Sequence, residues 1–242
     1  MKRFLNAFRL LTSLPLPAGG EWQPGDSGRS AGWYPFVGLC LGGLAALTFF
    51  LASKISTPLV SAALSLAVWV ALTGGLHLDG LTDCFDGMFH ASNPERRFQI
   101  MKDPHVGAFG VLGLVLTLLV KFALLASLPP ARAVGAILLA ASLARWCVTL
   151  AGTQPLAHST GMGADFAAGL TRSVIGLGGL IPLGLAIWLR WAGLGAAAAG
   201  LLATFAILRI AKANLGGVNG DVFGMILEIV EVAVLLVFSV AP

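Results

Sequence analysis

The chain has 242 residues, 57% of them hydrophobic and only 11% charged, with a mean hydropathy of +0.88, against about 25% charged residues in an ordinary soluble domain. That composition excludes a water-solvated globular fold. The net charge of +4 is not gathered into a basic domain, so nucleic acid is excluded as a partner and the lipid bilayer is the expected solvent.

Residues 1–14 are predicted to form an amphipathic interfacial helix. Phe4, Leu5, Phe8 and Leu11 fall on one helical face, with Lys2 and Arg9 away from it, which suits a helix lying on a membrane surface. Asn6, Arg9, Thr12 and Ser13, followed by Pro15 and Pro17, interrupt this stretch and argue against a cleaved signal peptide.

Apolar runs near the ~20 residues that cross a bilayer follow at 32–53, 57–78, 107–128, 132–151, 174–191, 193–213 and 222–240. The expected fold is all-α: a polytopic integral membrane protein of about seven transmembrane helices, with one catalytic domain over 32–240. The fifth and sixth runs are closely spaced and also fit a hairpin of shorter, re-entrant pieces. Cys40, Cys84 and Cys147 have neither paired nor zinc-type spacing and read as packing residues.

An N-terminus in the cytoplasm puts Lys2, Arg3, Arg9, Arg29, Arg96, Arg97, Lys102, Arg172, Arg209 and Lys212 inside, and only Lys54, Arg132 and Arg190 outside. The positive-inside rule favours that arrangement. Lys121, in the outer part of its span, is expected to snorkel to the surface. Arg145 is expected to snorkel or to reach a phosphate.

The acids are unevenly spread. Asp79, Asp83 and Asp86 occur in GGLHLDGLTDCFDG (74–87) at the end of the second run. On a helix, positions i, i+4 and i+7 differ by at most about 60° in azimuth, so the three carboxylates share a face. Like charges so placed repel, and a divalent cation would remove the cost; oxygen-only ligands favour Mg²⁺ or Mn²⁺ over zinc. His77 falls about opposite Asp79 and is not expected beside it.

Between the second and third runs, RRFQIMKDPHVGAFG (96–110) brings Arg96, Arg97 and Lys102, cations suited to a polyanionic phosphate ester or serving only as topology markers. His105, in this loop, and His158 are candidate bases or simply solvated.

A second acidic segment, LGGVNGDVFGMILE (215–228), enters the last run with Asp221 and Glu228 seven residues apart on one face. Gly216, Gly217 and Gly220 leave the backbone open to a phosphate near a helix start, or serve close helix packing. Glu228 and Glu231 lie within the apolar run, where an ionised carboxylate suggests function or a partner. For Glu231, a partner in Arg145 or Arg209 is expected.

These three motifs, in this order and with Arg145-Trp146, closely resemble the cobalamin 5'-phosphate synthase family, the adenosylcobinamide-GDP ribazoletransferases, over essentially the whole chain. The chain departs from the family pattern in Pro104-His105 (for Ser-Arg), Asn219 (for threonine) and Met225-Ile226 (for small residues), while keeping the acids. The resemblance implies a Mg²⁺-dependent phosphotransferase in the inner membrane of a bacterium or archaeon, with its site on the cytoplasmic side. It would join adenosylcobinamide-GDP to α-ribazole or its 5'-phosphate and release GMP, alone or as a homo-oligomer.

In that chemistry Asp79, Asp83, Asp86, Asp221 and Glu228 would hold metal, with Asp83 or Asp86 accepting a proton. Arg96, Arg97, Lys102, Arg145, Gly216, Gly217 and Gly220 would contact substrate.

Two other readings compete. A CDP-alcohol phosphotransferase acting on lipid also uses helix-borne aspartates, but its Asp-Gly, Ala-Arg signature is not reproduced between Asp79 and Asp86. A cation-coupled transporter would use Glu228, Glu231 and Arg145 along an ion path, but it would be expected to show internal repeats, and the acids here cluster toward one face.

Overall fold

The computed structural model describes residues 1–17, 20–90 and 92–240. Its helices are, in chain order, α1 (Lys2–Leu11), α2 (Asp26–Ser30), α3 (Tyr34–Ala52), α4 (Pro58–Thr73), α5 (Leu76–Met88), α6 (Pro94–Met101), α7 (Ala108–Ser127), α8 (Pro130–Ala151), α9 (Met162–Gly169), α10 (Arg172–Trp188), α11 (Arg190–Leu215) and α12 (Gly220–Val240). A 3-10 turn, Ala31–Trp33, joins α2 to α3. Local sequence sets many of these starts. Pro occupies the first turn of α3, α4, α6 and α8, and Thr57, Asn93 and Thr171 cap α4, α6 and α10 through their side chains.

Asp26–Ala52, α7, α8, α11 and α12 are each long and apolar enough to span a bilayer, and the bent pairs α4–α5 and α9–α10 bring the number to seven if each is one span. The protein is therefore an all-α polytopic membrane protein. The expected run 57–78 is corrected in one respect: the chain leaves α4 at Gly74 and Gly75, both left-handed (φ 62° and 72°), and α5 departs at 89°. Two successive left-handed residues are cheap only for glycine. The acids thus stand on a separate helix rather than at the end of a straight span. The fifth and sixth runs are two distinct packed helices, α10 and α11, and the short α9 meets α10 at 96°.

Helices α8 and α12 form the centre. Small residues let neighbours approach α8 closely, as membrane helices require in the absence of a hydrophobic drive between them. A Cβ on Gly42 of α3 would stand 2.9 Å from Ala141 Cβ and 3.1 Å from Ile137 O. Leu112, Leu116 and Leu119 of α7 and Leu177, Leu180 and Leu183 of α10 point outward, exposed, as lipid-facing positions do.

Four buried charged side chains meet between α7, α8 and α12. Lys121 Nζ donates to Glu228 Oε2 at 2.7 Å and also to Glu231, while Arg145 Nη1 donates to Glu231 Oε1 at 3.0 Å and to Ala141 O at 2.9 Å. Lys121 therefore does not snorkel. It belongs to the inward stripe Gly110, Gly113, Thr117 and Lys121, whose helical spacing aims it at α12. Of the two partners expected for Glu231, Arg145 and Arg209, it is Arg145 that pairs with it.

Helix α1 packs on the start of α3, where Phe4 and Phe8 meet Trp33 and Phe36. Lys2 pairs with Asp26 at 2.8 Å.

Candidate active site

Helices α5 and α12 cross with their backbones in contact. A Cβ on Gly80 would lie 3.0 Å from both Cα and O of Asp221, and one on Gly224 would lie 2.9 Å from His77 O. No side chain fits at either position without moving a helix. The crossing brings Asp79 and Asp83 beside Asp221, near enough that their charges act on one another. Asp79 is exposed; Asp83 and Asp221 are half-buried.

Asn219 shapes the start of α12 in two ways. Its Oδ1 accepts from Val222 N at 3.0 Å, capping the helix, and its Nδ2 donates to Asp221 Oδ2 at 2.9 Å, which fixes that carboxylate. Lys102, exposed in the loop before α7, lies close enough to act on Asp221 as an opposite charge.

Beside these carboxylates lies a partly open cavity of about 320 Å³ lined by α1, α2, α3, α5, α8, α9 and α12, with Asp79, Asp221, Asn219, Gly220, His77 and His158 in its wall.

The predicted site residues separate into groups. Asp79, Asp83 and Asp221 come together, with Lys102 near them. Asp86 turns elsewhere: Oδ2 accepts from Gly107 N and Oδ1 from Gly110 N, each at 2.7 Å, so it anchors the positive end of α7. The spacing rule placed it on the face of Asp79 and Asp83, but the approach of α7 to that side of α5 captures it.

Glu228 is withdrawn from the acidic cluster by Lys121, and Arg145 from any phosphate by burial against Gly38 and pairing with Glu231. Arg97 ties α6 to the end of α11 by donating to Asn214 O at 2.9 Å, whereas Arg96 stays at the surface with Gln99. His105 is exposed; its backbone N–H and ring hold the Asp103 carboxylate below its usual range.

The three glycines differ in what they do. Gly216 ends α11 in the left-handed region (φ 77°). Gly217 lets the strand-like segment Pro155–Ala157 pass: its Cβ would lie 2.6 Å from Leu156 C, and Val218 exchanges bonds with Pro155 O and Ala157 N, both 2.9 Å. Only Gly220 opens onto the cavity, with nothing within 4 Å of its Cβ position.

Among the described residues, no three His, Cys, Asp or Glu groups are gathered tightly enough to hold a metal by themselves. The donor set around Asp79, Asp83 and Asp221 is nonetheless all oxygen, anionic and open to a cavity. It fits a hard ion that keeps waters and takes part of its shell from a phosphate ligand.

Sequence reasoning missed His77. It is opposite Asp79 on the helix, yet both line the cavity, because the cavity runs along the first turn of α5. The aromatic wall of Tyr34, Phe166 and Phe223 was also missed. Phe166 lies on α9, a helix too short to register as an apolar span.

These features define a polytopic membrane protein with carboxylates from two distant segments beside a cavity between its helices. The family model described as cobalamin-5-phosphate synthase matches residues 3–239. Proteins named adenosylcobinamide-GDP ribazoletransferase are similar over most of their length. That of Desulfitobacterium hafniense is 40% identical over 98% of this chain and 96% of its own, and that of Stutzerimonas stutzeri is 41% identical over 98% and 97%. That of Deinococcus radiodurans is 39% identical over 95% of this chain and 82% of its own. The chain belongs to the cobalamin-5-phosphate synthase family. No solved structure matches it.

Proposed function

We propose that this protein joins adenosylcobinamide-GDP to α-ribazole or α-ribazole 5'-phosphate, giving adenosylcobalamin or its 5'-phosphate and GMP. The observation that carries this reading, beyond family membership, is the Gly80–Gly224 crossing, which brings Asp79 and Asp83 alongside Asp221 beside a cavity.

In the reaction a ribose hydroxyl attacks the cobinamide-linked phosphorus, the P–O bond to the GMP phosphate breaks, and the hydroxyl proton must leave. Asp83, half-buried between Asp79 and Asp221, is the group assigned to accept that proton. Asn219 holds Asp221 in place, Lys102 offers positive charge to the incoming diphosphate, and the apolar cavity wall limits the water that can compete as nucleophile. Mg²⁺, held by Asp79 and Asp221 together with the substrate, would neutralise the pyrophosphate and stabilise departing GMP. Asp86 and Glu228 have no part in this assignment. The N-terminus and the site face the cytoplasm, where the nucleotide substrate is, in the cell membrane of a bacterium or archaeon.

The test is purified protein in proteoliposomes with adenosylcobinamide-GDP, α-ribazole phosphate and Mg²⁺, with cobamide and GMP read by mass spectrometry. Both products should form in equal amounts, vanish in EDTA and return with Mg²⁺. Solute uptake without GMP release would favour the transporter reading, and full activity in chelator would remove the metal.

A further inference from the structure

The cavity beside the carboxylates has two kinds of wall. Asp79, Asp221 and Asn219 form a small polar part; most of the rest is apolar, built by Leu10 of α1, Val148 of α8, Phe166 of α9 and Phe223 and Leu227 of α12. The aromatic members are ordered. Phe166 stacks on Tyr34 with centroids 5.7 Å apart at 20°, and meets Phe223 at 5.3 Å and 59°. His77 belongs to the same wall, and its Nε2 is buried without a hydrogen-bond partner, although buried polar groups are ordinarily paired. A largely apolar cavity with an aromatic wall and one orphaned imidazole nitrogen suits an aromatic ring that carries a hydrogen-bonding nitrogen.

The two substrates of the proposed reaction differ sharply in this respect. Adenosylcobinamide-GDP carries a corrin ring far too large for about 320 Å³ and a guanine studded with donors and acceptors. The base of α-ribazole is a methylated benzimidazole: flat, apolar, and left with one free ring nitrogen, an acceptor, once the other bears the ribose. Resting on the reading above, we propose that this cavity is the acceptor-nucleoside site. The base lies against the Phe166–Phe223 wall, its free nitrogen accepts from His77 Nε2–H, and the ribose reaches toward Asp79 and Asp221. The cavity would then select the base, with His77 as a positioning residue, while the cobinamide-GDP approaches from outside past Lys102.

The test measures KM and kcat for both substrates in proteoliposomes with three nucleosides: α-ribazole, the same nucleoside without the two methyl groups, and an indole analogue in which the free ring nitrogen is C–H. Val148→Phe, which narrows the cavity, should raise KM for α-ribazole ~10-fold or more, as a pocket's fit to a methyl group allows, and shift preference to the unmethylated base. The KM for adenosylcobinamide-GDP should stay within about twofold.

His77→Phe keeps a flat ring at this position, slightly larger, but removes the N–H. It should raise KM for α-ribazole and erase the wild-type preference for α-ribazole over its indole analogue, which a general loosening of the fold would not do. Leu10→Ala, an independent widening, should relax discrimination among bases even if Val148→Phe fails to fold. The assignment is overturned if these variants raise KM for adenosylcobinamide-GDP and leave that for the nucleoside alone, or if GMP competes with α-ribazole rather than with adenosylcobinamide-GDP. Absence of product from the wild-type protein with any nucleoside would overturn the proposed reaction itself.

Discussion

Replacing Lys121 with methionine tests whether the four buried charges are a structural lock or part of the catalytic site. Lys121 is the only cation in contact with Glu228 among the described residues, at 2.7 Å, and it shares Glu231 with Arg145; the side chains involved are 0–7% exposed. Lys121→Met keeps most of the length of the side chain but leaves two carboxylates facing one guanidinium. Breaking a buried pair by removing one partner costs about 3–5 kcal/mol, whereas removing both is often near neutral.

At roughly 2–4 °C per kcal/mol for a chain of this size, the single variant should lose about 6–20 °C of thermal stability. The double variant Lys121→Met/Glu228→Gln, which leaves Arg145–Glu231 intact, should return to within ~1–2 kcal/mol of the parent. Unfolding in detergent, followed by fluorescence and gel filtration, measures the stability, and GMP release measures turnover. A neutral single variant, or a double variant no more stable than the single, would refute the lock. Turnover should survive in the double variant. Its loss despite restored stability would return Glu228 to the metal site.

Three further outcomes are expected. Asp79→Asn or Asp221→Asn should lower turnover by ~10² or more, if each supplies about 3 kcal/mol to the transition state, with little change in yield; near-normal turnover of Asp221→Asn at saturating Mg²⁺ would dissolve the two-segment site. Gly224→Ala should reduce turnover by about 10-fold or more although every acid is present, because its Cβ would stand 2.9 Å from His77 O and separate α5 from α12; wild-type kinetics would mean the crossing does not set the chemistry. Single cysteines at 54 or 190 should react with an impermeant reagent applied to intact cells, and those at 93 or 160 should not; labelling at 93 would place the acids on the wrong side for a cytoplasmic nucleotide.

The spans were legible in the sequence because bilayer crossing demands ~20 continuous apolar residues, a constraint few other patterns mimic. That Asp79 and Asp83 come near Asp221 was also within reach, since carboxylates at helical spacing stand out in a chain so poor in charge. Asp86 was not: the spacing rule sees only its own helix, and α7 decides which side it serves. Lys121 was misplaced for a related reason. Position along a span suggested the surface, whereas the small-polar stripe Gly110, Gly113 and Thr117 on the same face held the better signal. The break at Gly74–Gly75 was hidden because apolar residues continue past it to Leu78, and hydropathy is blind to backbone handedness.

That break explains why the N-terminal helix is part of the machinery as well as a candidate for the membrane surface. A straight second span would carry Asp79 and Asp83 along its own axis, away from α12. Turning α5 by 89° lays it across α12 so that Gly80 and Gly224 can meet, but it frees the last carbonyls of α4, which are costly to leave unpaired near lipid. Gly74 N and Gly75 N return to Ala71 O and Val70 O at 3.1 and 3.3 Å, and Ser13 adds two more bonds, its N–H to Leu72 O at 2.9 Å and its Oγ to Ala71 O at 2.7 Å. The residue just beyond α1 thus closes the hinge that orients the acids, while Leu10 and Leu11 of α1 wall the cavity beside them. The first fourteen residues are therefore tied to the geometry of the site through backbone hydrogen bonds and packing, whichever surface α1 also touches.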